Sequence, residues 1–144
     1  MSEKNAYKTF YDGVRQGLDR IERIENGVGV GAPDINFCIE SKEGWLELKS
    51  PIEPKRASTP LFGSNHRVSQ DQKNWFLRQR QAGGFCAFLI MTDQRWMLIP
   101  GRYADDLNNM TVDNLLKAAV WTADRPIKEK RRWELLRANL ITLR

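Results

Sequence analysis

The stretch GAPDINFCIESKEGWLELKSP, residues 31–51, carries the pattern that decides the fold of this 144-residue chain. Two segments within it, INFCIE (35–40) and GWLELK (44–49), are rich in the apolar and aromatic residues typical of strands. The few residues between them predict a tight turn, so we expect the two strands to form a hairpin. A glycine-rich segment, GVGVGAP (27–33), precedes the hairpin and predicts a loop or a bulged sheet edge.

The second strand of this hairpin alternates charged and apolar side chains. Side chains on a strand point to opposite faces in turn, so Glu47 and Lys49 share one face while Leu46 and Leu48 share the other. We expect the leucines to face the core and the two charged groups to be held side by side on a rigid element. The alternative is a solvated sheet face, on which an isolated Glu-x-Lys pattern is common.

Asp34, which follows a proline, is a further acidic group of this stretch. Asp34 and Glu47 together supply the oxygen ligands that Mg²⁺ prefers, and the backbone carbonyl of Leu48 is another candidate ligand. A bound cation lowers the pKa of a water and polarises a phosphoryl oxygen, while Lys49 can position that water or neutralise charge. These residue types therefore indicate phosphodiester hydrolysis. The alternative for Asp34 is a turn-forming role after proline.

The hairpin register decides whether the two acids can share one cation. If Glu40 pairs with Trp45, straight strands leave Asp34 four rungs from Glu47, a separation of ~13 Å. That distance is too long for one metal ion. The sequence therefore requires a bend or a register shift near Asp34, and the neighbouring glycine and proline allow one.

The rest of the chain predicts alternating helices and strands in a single domain over residues 1–144. Ser69 and Thr111 are residue types that cap helix N-termini, and the apolar run at 85–92 is typical of a central strand. The predicted elements are a helix over 4–18, a strand over 20–25, a proline-rich loop over 51–67, a helix from 69 to 81, strands over 85–92 and 95–100, a helix from 111 to 119 and a helix over 127–138. This order indicates an α/β or α+β sandwich with a mixed sheet, with a core at about 5–100 and a C-terminal helical extension at about 103–144.

Composition narrows the class of protein. The net charge of +5 and the sequence pI of about 9.4 favour a polyanionic partner, with nucleic acid first. A hydrophobic content of 41% with five tryptophans excludes disorder of the whole chain. Cys38 and Cys86 lie in apolar runs without a CxxC pattern, so we expect buried free thiols in a cytoplasmic protein and no zinc site. No apolar run approaches the ~18 residues of a membrane span, and the N-terminus lacks the apolar core of a signal peptide.

The pattern Pro33-Asp34, then twelve residues, then Glu47-x-Lys49 resembles the PD-(D/E)XK nuclease motif. The surrounding RIENGVGVGAPDINFCIESKEGWLELK resembles small phage-encoded nucleases of the VRR-NUC and Holliday-junction-resolvase-like branch, although no intact Val-Arg-Arg triplet occurs. This resemblance covers residues 5–100. It implies a restriction-endonuclease-like mixed sheet flanked by helices, with the acid and the Glu-x-Lys on adjacent, bent strands. It also implies Mg²⁺ or Mn²⁺ as cofactor and a homodimer, which acts in the host cytoplasm if the protein is viral.

The resemblance also implies two supporting residues. The family often carries a glutamine on the helix after the Glu-x-Lys strand, and Gln72 is a better match than Gln70. An acid from an upstream element often assists the site, and Glu25 is the candidate, with Glu22 behind it. The alternative for each of these residues is an ordinary solvated surface position.

The long loop at 51–67 is a candidate DNA-binding segment, and we hypothesise that it closes over DNA. A structureless loop of this length in a small domain is usually functional or mobile. Its candidate phosphate-binding residues are Lys55, Arg56, His66 and Arg67. The alternative for His66, the single histidine, is an incidental loop position.

These observations predict a metal-dependent endodeoxyribonuclease, with junctions or branched DNA as candidate substrates. One rival is a non-catalytic nucleic-acid-binding module, which would bind DNA in a salt-sensitive way without cutting it. A second rival is a viral packaging or structural protein on the same fold, which would show neither metal binding nor DNA-dependent activity.

Overall fold

A computed structural model describes residues 3–25, 29–63 and 65–143 of the chain. The strands are β1 (Arg20–Arg23), β2 (Ile35–Ile39), β3 (Lys42–Lys49), β4 (Phe85–Met91), β5 (Arg95–Pro100) and β6 (Trp121–Asp124). The helices are α1 (Glu3–Val14), α2 (Gln70–Gln81), α3 (Val112–Ala118) and α4 (Lys130–Thr142), with two short 3₁₀ turns at Gly101–Tyr103 and Leu107–Asn109. Residues 27 and 28 of the glycine-rich segment and residue 64 of the predicted loop lie outside the described residues.

The described strands form one six-stranded mixed sheet in chain order, β1-β2-β3-β4-β5-β6. Strands β3 and β4 run parallel and are joined through α2, whereas the other neighbours are antiparallel. Every residue of β4 is buried, as expected for a central strand covered on both faces. The predicted α/β class with a mixed sheet is therefore confirmed.

Helices cover both faces of the sheet and define two hydrophobic cores. Helices α1 and α4 pack on the face that carries Phe37, Leu46 and Leu48. Helices α2 and α3 pack on the opposite face, where the loop residues Leu61 and Phe62 are also buried. Because side chains alternate along a strand, Glu47 and Lys49 lie on the α2 side, opposite their apolar neighbours.

The hairpin between β2 and β3 turns at Glu40 and Ser41, whose φ angles are +47° and +69°. Two consecutive positive φ angles are typical of the type I′ turn, which usually contains asparagine and glycine. Trp45 therefore pairs with Asn36, and the predicted pairing of Trp45 with Glu40 is wrong by four residues. The turn was misplaced because neither of its two residues is a usual signal for it.

Gly44 lies within β3, which begins at Lys42, two residues before the predicted strand. A Cβ atom at this position would lie 2.5 Å from the ring of Phe85 and 2.7 Å from that of Phe37. Those two rings make an edge-to-face contact with centroids 5.8 Å apart. Packing rather than turn geometry thus explains the glycine.

Several element boundaries differ from the predictions. Helix α1 ends at Val14 rather than at about 18, because Gly17 adopts a φ of +49° and the backbone N–H of Gln16 donates to the Asp19 carboxylate. Helix α4 begins and ends later than predicted, and the region 103–144 adds a strand, β6, to its helices. Both predicted helix caps are confirmed, since Ser69 and Thr111 each accept a hydrogen bond from the third residue of their helix. None of the described helices has the length and apolarity needed to cross a membrane.

The two cysteines are free thiols, as predicted. Cys86 is buried in β4, and burial raises its pKa to about 12. Cys38, in contrast, is only half-buried on β2, next to the edge strand β1. The prediction that both thiols are buried therefore holds for Cys86 alone.

An ion pair ties α4 to the segment before β1. The Arg137 guanidinium donates to both carboxylate oxygens of Asp19 at 3.1 and 2.8 Å and to Glu40 at 2.8 Å. Burial opposes ionisation of Asp19, but the hydrogen bonds from Arg137 and from the Gln16 amide outweigh it, so the pKa of Asp19 is lowered. The hydrogen bonds from Arg137 therefore stabilise the ionised form of Asp19 in the folded protein.

We expect Arg137→Ala to lower the free energy of unfolding by about 3 kcal/mol at pH 7, because it leaves a buried carboxylate unpaired. Since the pKa of Asp19 is lowered by folding, the ion pair stabilises the fold above the unfolded-state pKa. That contribution is lost as the pH falls through the lower folded-state pKa. Urea denaturation at pH 7 and pH 3 measures the effect. Arg131→Ala, an exposed change on the same helix, is the control, and equal destabilisation by both variants would contradict the role of the ion pair.

Candidate active site

The observed register brings Asp34 next to Glu47. Ile35 pairs with Leu46, so one step further along the antiparallel ladder Asp34 lies opposite Glu47 on the same face of the sheet. The backbone N–H of Leu48 donates to the Asp34 carboxylate at 2.9 Å, and the N–H of Ile24 donates to the Asp34 carbonyl at 2.6 Å. The separation of ~13 Å expected for straight strands was a consequence of the wrong register, so no large bend is needed.

Glu47 and Lys49 form a buried polar cluster with Gln72 of α2. Only 4% of Glu47 and 6% of Lys49 is exposed. The Glu47 Oε2 atom accepts a hydrogen bond from the Gln72 amide at 3.0 Å and lies 3.4 Å from the Lys49 ammonium. Lys49 in turn donates to the Gln72 carbonyl oxygen and to the backbone carbonyl of Arg67, both at 3.3 Å. The predicted partners on strand and helix are therefore in direct contact.

Two features hold Gln72 in this position: the capping box of α2 and the close packing of the preceding chain against its first turn. Its carbonyl oxygen also accepts from the backbone N–H of Ser69 at 3.0 Å, which completes a capping box with the Ser69 hydroxyl. Gly31, with a φ of +80°, lies so close to the first turn of α2 that a Cβ atom would be 2.3 Å from the Asp71 carbonyl oxygen. The glycine-rich segment thus lets the chain before Asp34 pack against the helix that carries Gln72.

One oxygen of Glu47 has no partner. Among the described residues, the Oε1 atom is the single buried side-chain polar atom without a hydrogen bond. Burial and, to a lesser degree, the negative charge of Asp34 raise the pKa of Glu47 to about 8, although Lys49 opposes both effects. A buried acid with an unpaired oxygen is costly for the fold, and such an arrangement is common at functional sites.

This donor set fits a hard divalent cation. Asp34 and Glu47 supply carboxylate oxygens, one of them unpartnered, and the Leu48 carbonyl follows Glu47 directly on β3. Within residues 3–25, 29–63 and 65–143, no cluster of three or more acidic, histidine or cysteine side chains could hold a metal. One or two carboxylates with retained waters are the usual protein ligands of Mg²⁺, so the small number of acids is compatible with that ion.

The upstream acid near the site is Glu3, which the sequence analysis did not single out. Its charge contributes to the raised pKa of Glu47, although less than burial and Asp34 do. Glu3 lies in the first turn of α1. Its place at the start of the first predicted helix was the only feature of the sequence that could have pointed to this residue. The candidate Glu25 is exposed beyond β1, directly after Ile24, and Glu22 is exposed on β1, where it pairs with Arg20 at 3.4 Å.

The four candidate phosphate-binding residues of the 51–67 loop lie at different distances from the cluster. Arg67 contributes its backbone carbonyl to Lys49, while its guanidinium donates to the Gly63 carbonyl at 3.0 Å. The Nδ1 atom of His66 lies 3.6 Å from the carboxylate of Glu3. Lys55 and Arg56 are exposed and line a separate cavity of about 220 Å³. Arg67 therefore contacts the cluster through its backbone carbonyl, and all four residues are exposed.

We expect Glu47→Gln to change the pH dependence of stability. The folded state holds the Glu47 proton up to about pH 8, whereas the unfolded state releases it near pH 4.5, so wild-type stability falls as the pH rises through this window. The slope from this group is at most about 1.4 kcal/mol per pH unit. The variant lacks this titration and becomes relatively more stable toward pH 8.

Urea denaturation in EDTA between pH 5 and pH 9 measures this difference. Glu43→Gln, an exposed change on the same strand, is the matched control and should follow the wild-type profile. Parallel profiles for wild type and Glu47→Gln would show that Glu47 titrates normally.

Comparisons with known proteins identify the fold. No model of a known protein family matches the chain, and no curated protein matches its sequence. Among solved structures, the chain is similar to Hjc, a Holliday junction resolvase from the archaeal hyperthermophile Archaeoglobus fulgidus, with a TM-score of 0.52 and 15% sequence identity. The similarity covers 80% of this chain and 88% of the resolvase. The chain therefore has the resolvase-like nuclease fold that the PD-(D/E)XK resemblance predicted.

Proposed function

We propose that this protein is a Mg²⁺- or Mn²⁺-dependent endodeoxyribonuclease that cuts branched or distorted DNA. The observation that carries the proposal is the unpartnered Oε1 atom of buried Glu47, which lies on a strand beside Asp34. The other oxygen of this carboxyl group, Oε2, is held by Gln72 and Lys49. The resolvase-like fold and the net charge of +5 support a DNA substrate. Within this proposal the protein belongs to the VRR-NUC and resolvase-like branch of nucleases.

Asp34, Glu47 and the Leu48 carbonyl would hold the cation. When bound, the cation lowers the pKa of a coordinated water and withdraws charge from the scissile phosphate. The Leu48 amide keeps Asp34 oriented through its 2.9 Å hydrogen bond, so the carboxylate keeps its other oxygen for the ion. Because Glu47 is protonated below about pH 8 in the metal-free protein, it must lose that proton before it can bind a cation.

Lys49 acts as the cationic group beside the reacting phosphate. Its ammonium is held by the Gln72 and Arg67 carbonyl oxygens and by Glu47, so three acceptors fix its position before substrate arrives. A fixed cation in a buried site stabilises developing negative charge more strongly than one in water. Gln72 bridges Glu47 and Lys49 and therefore positions both groups.

The substrate and the assembly form the finer part of the proposal. The likeness to a resolvase favours junctions and other branched DNA over continuous duplex. We infer that two copies act together, because two sites are needed to cut two strands at one branch point. The exposed cations Lys55 and Arg56 would bind phosphates away from the scissile bond.

We expect Lys49→Ala to lower the cleavage rate at least about 100-fold while DNA binding is retained, because the transition state loses a fixed positive charge. Lys49→Met, which keeps the length of the side chain, should show the same loss if alanine perturbs packing. The measurement uses supercoiled, linear, single-stranded, flap and four-way-junction DNA with Mg²⁺ and with Mn²⁺. Lys128→Ala, an exposed lysine, is the matched control. Salt-sensitive DNA binding by the wild type without cleavage of any substrate would instead favour a non-catalytic binding module.

We expect Asp34→Ala to abolish cleavage and to weaken Mn²⁺ binding at least about tenfold, because one of two carboxylate ligands is removed. Isothermal titration with Mn²⁺ measures the metal directly, so a loss of binding is separated from a loss of chemistry. Asp105→Ala, an exposed acid, serves as control. Cleavage by Asp34→Ala at the wild-type rate would show that the site is assigned to the wrong residues.

A further inference from the structure

The segment directly after Lys49 is anchored to the sheet through Glu53. Its carboxylate accepts hydrogen bonds from the Thr92 hydroxyl at 2.6 Å and from the Arg95 guanidinium at 2.9 and 3.3 Å. Its backbone N–H also donates to the Asp93 carboxylate at 2.8 Å. These bonds attach the start of the 51–67 loop to the β4–β5 turn.

The anchored segment exposes an apolar side chain. Ile52 is 74% exposed, although Pro51 before it is buried and Glu53 after it is half-buried. Pro51 and Pro54 restrict the backbone on both sides, because each fixes its own φ and limits the residue before it. Isolated apolar residues on a surface are common. Ile52 differs from such residues because the flanking prolines and the Glu53–Arg95 ion pair fix the backbone that exposes it, within a polar, cationic loop.

Ile52 lies close to the candidate active site. It is three residues from Lys49, so its backbone is within ~11 Å of that of Lys49. It also lines a groove of about 440 Å³ that extends to His66, which contacts Glu3 beside the cluster. Lys55 and Arg56 follow three and four residues later and are exposed. Ile52, Lys55 and Arg56 therefore lie within five consecutive residues of the chain.

We propose that Ile52 is a wedge that inserts against an unstacked base at a branch point or distortion in DNA. This inference rests on the proposed nuclease function and adds a determinant of substrate choice to it. Isoleucine is among the side chains that insert between base steps. Insertion into continuous duplex requires unstacking, whereas a junction already offers open steps, so a rigid wedge selects distorted DNA. The positive charge of the surrounding loop favours DNA over a protein partner as the occupant.

The test uses a four-way junction with 2-aminopurine at the branch point and a continuous duplex of the same sequence, both in EDTA. Wild-type protein should raise the fluorescence of the junction, because insertion unstacks the reporter base. Ile52→Ala should abolish this rise and lower the junction-to-duplex affinity ratio about tenfold, since three methylene-sized groups leave the contact. Ile52→Leu should restore both signals. Leu18→Ala, a change of an exposed leucine at the α1–β1 turn, is the matched control and should behave as wild type.

Three results would overturn the wedge. The first is binding of the junction by the wild type with no rise in fluorescence. The second is a junction-to-duplex affinity ratio that Ile52→Ala leaves unchanged. The third is a wild-type dimer in sedimentation that Ile52→Ala converts to a monomer. Cleavage of the same DNAs with Mg²⁺ and Mn²⁺ is measured in parallel. Wild-type cleavage with any of these three results removes the wedge and leaves the nuclease proposal standing. Fluorescence that depends on Ile52, without any cleavage, removes the nuclease proposal instead.

Discussion

The backbone ladder between β2 and β3 sets the geometry of the whole candidate site, because Asp34 meets Glu47 only when Ile35 pairs with Leu46. A slip of one residue would turn the charged side chains of β3 into the apolar core. Two contacts oppose such a slip. Gly44 fits between the rings of Phe37 and Phe85, and the Asp34 carboxylate accepts from the Leu48 amide across the hairpin. Packing on one face of the hairpin thus positions the polar groups on the other.

Burial of charge on that polar face links structure to function. Glu47 and Lys49 are almost fully removed from water, yet one Glu47 oxygen has no hydrogen bond among the described residues. Burial and the charge of Asp34 raise the pKa of Glu47, so the metal-free site tends to keep a proton where a cation would be bound. A cation that displaced this proton would satisfy both carboxylates at once.

The two faces of the sheet carry different groups of residues. The α1–α4 side holds a continuous apolar core and the Arg137–Asp19 ion pair, which are features of stability. The α2 side carries Gln72 and the anchored start of the 51–67 loop. The start of the loop that we expect to close over DNA is hydrogen-bonded to the β4–β5 turn through Glu53.

The sequence by itself determined the local features of this protein. Strand alternation placed Glu47 and Lys49 on one face, helix-capping residues located α2 and α3, and a family motif singled out Asp34 and Gln72. These patterns depend on neighbours along the chain, so they can be read from it. Tertiary structure decided the rest: the I′ turn at Glu40 and Ser41, strand β6, and the effect of Glu3 on the pKa of Glu47. Each of these depends on contacts between residues distant in sequence, such as the rings around Gly44, and no local pattern records such contacts.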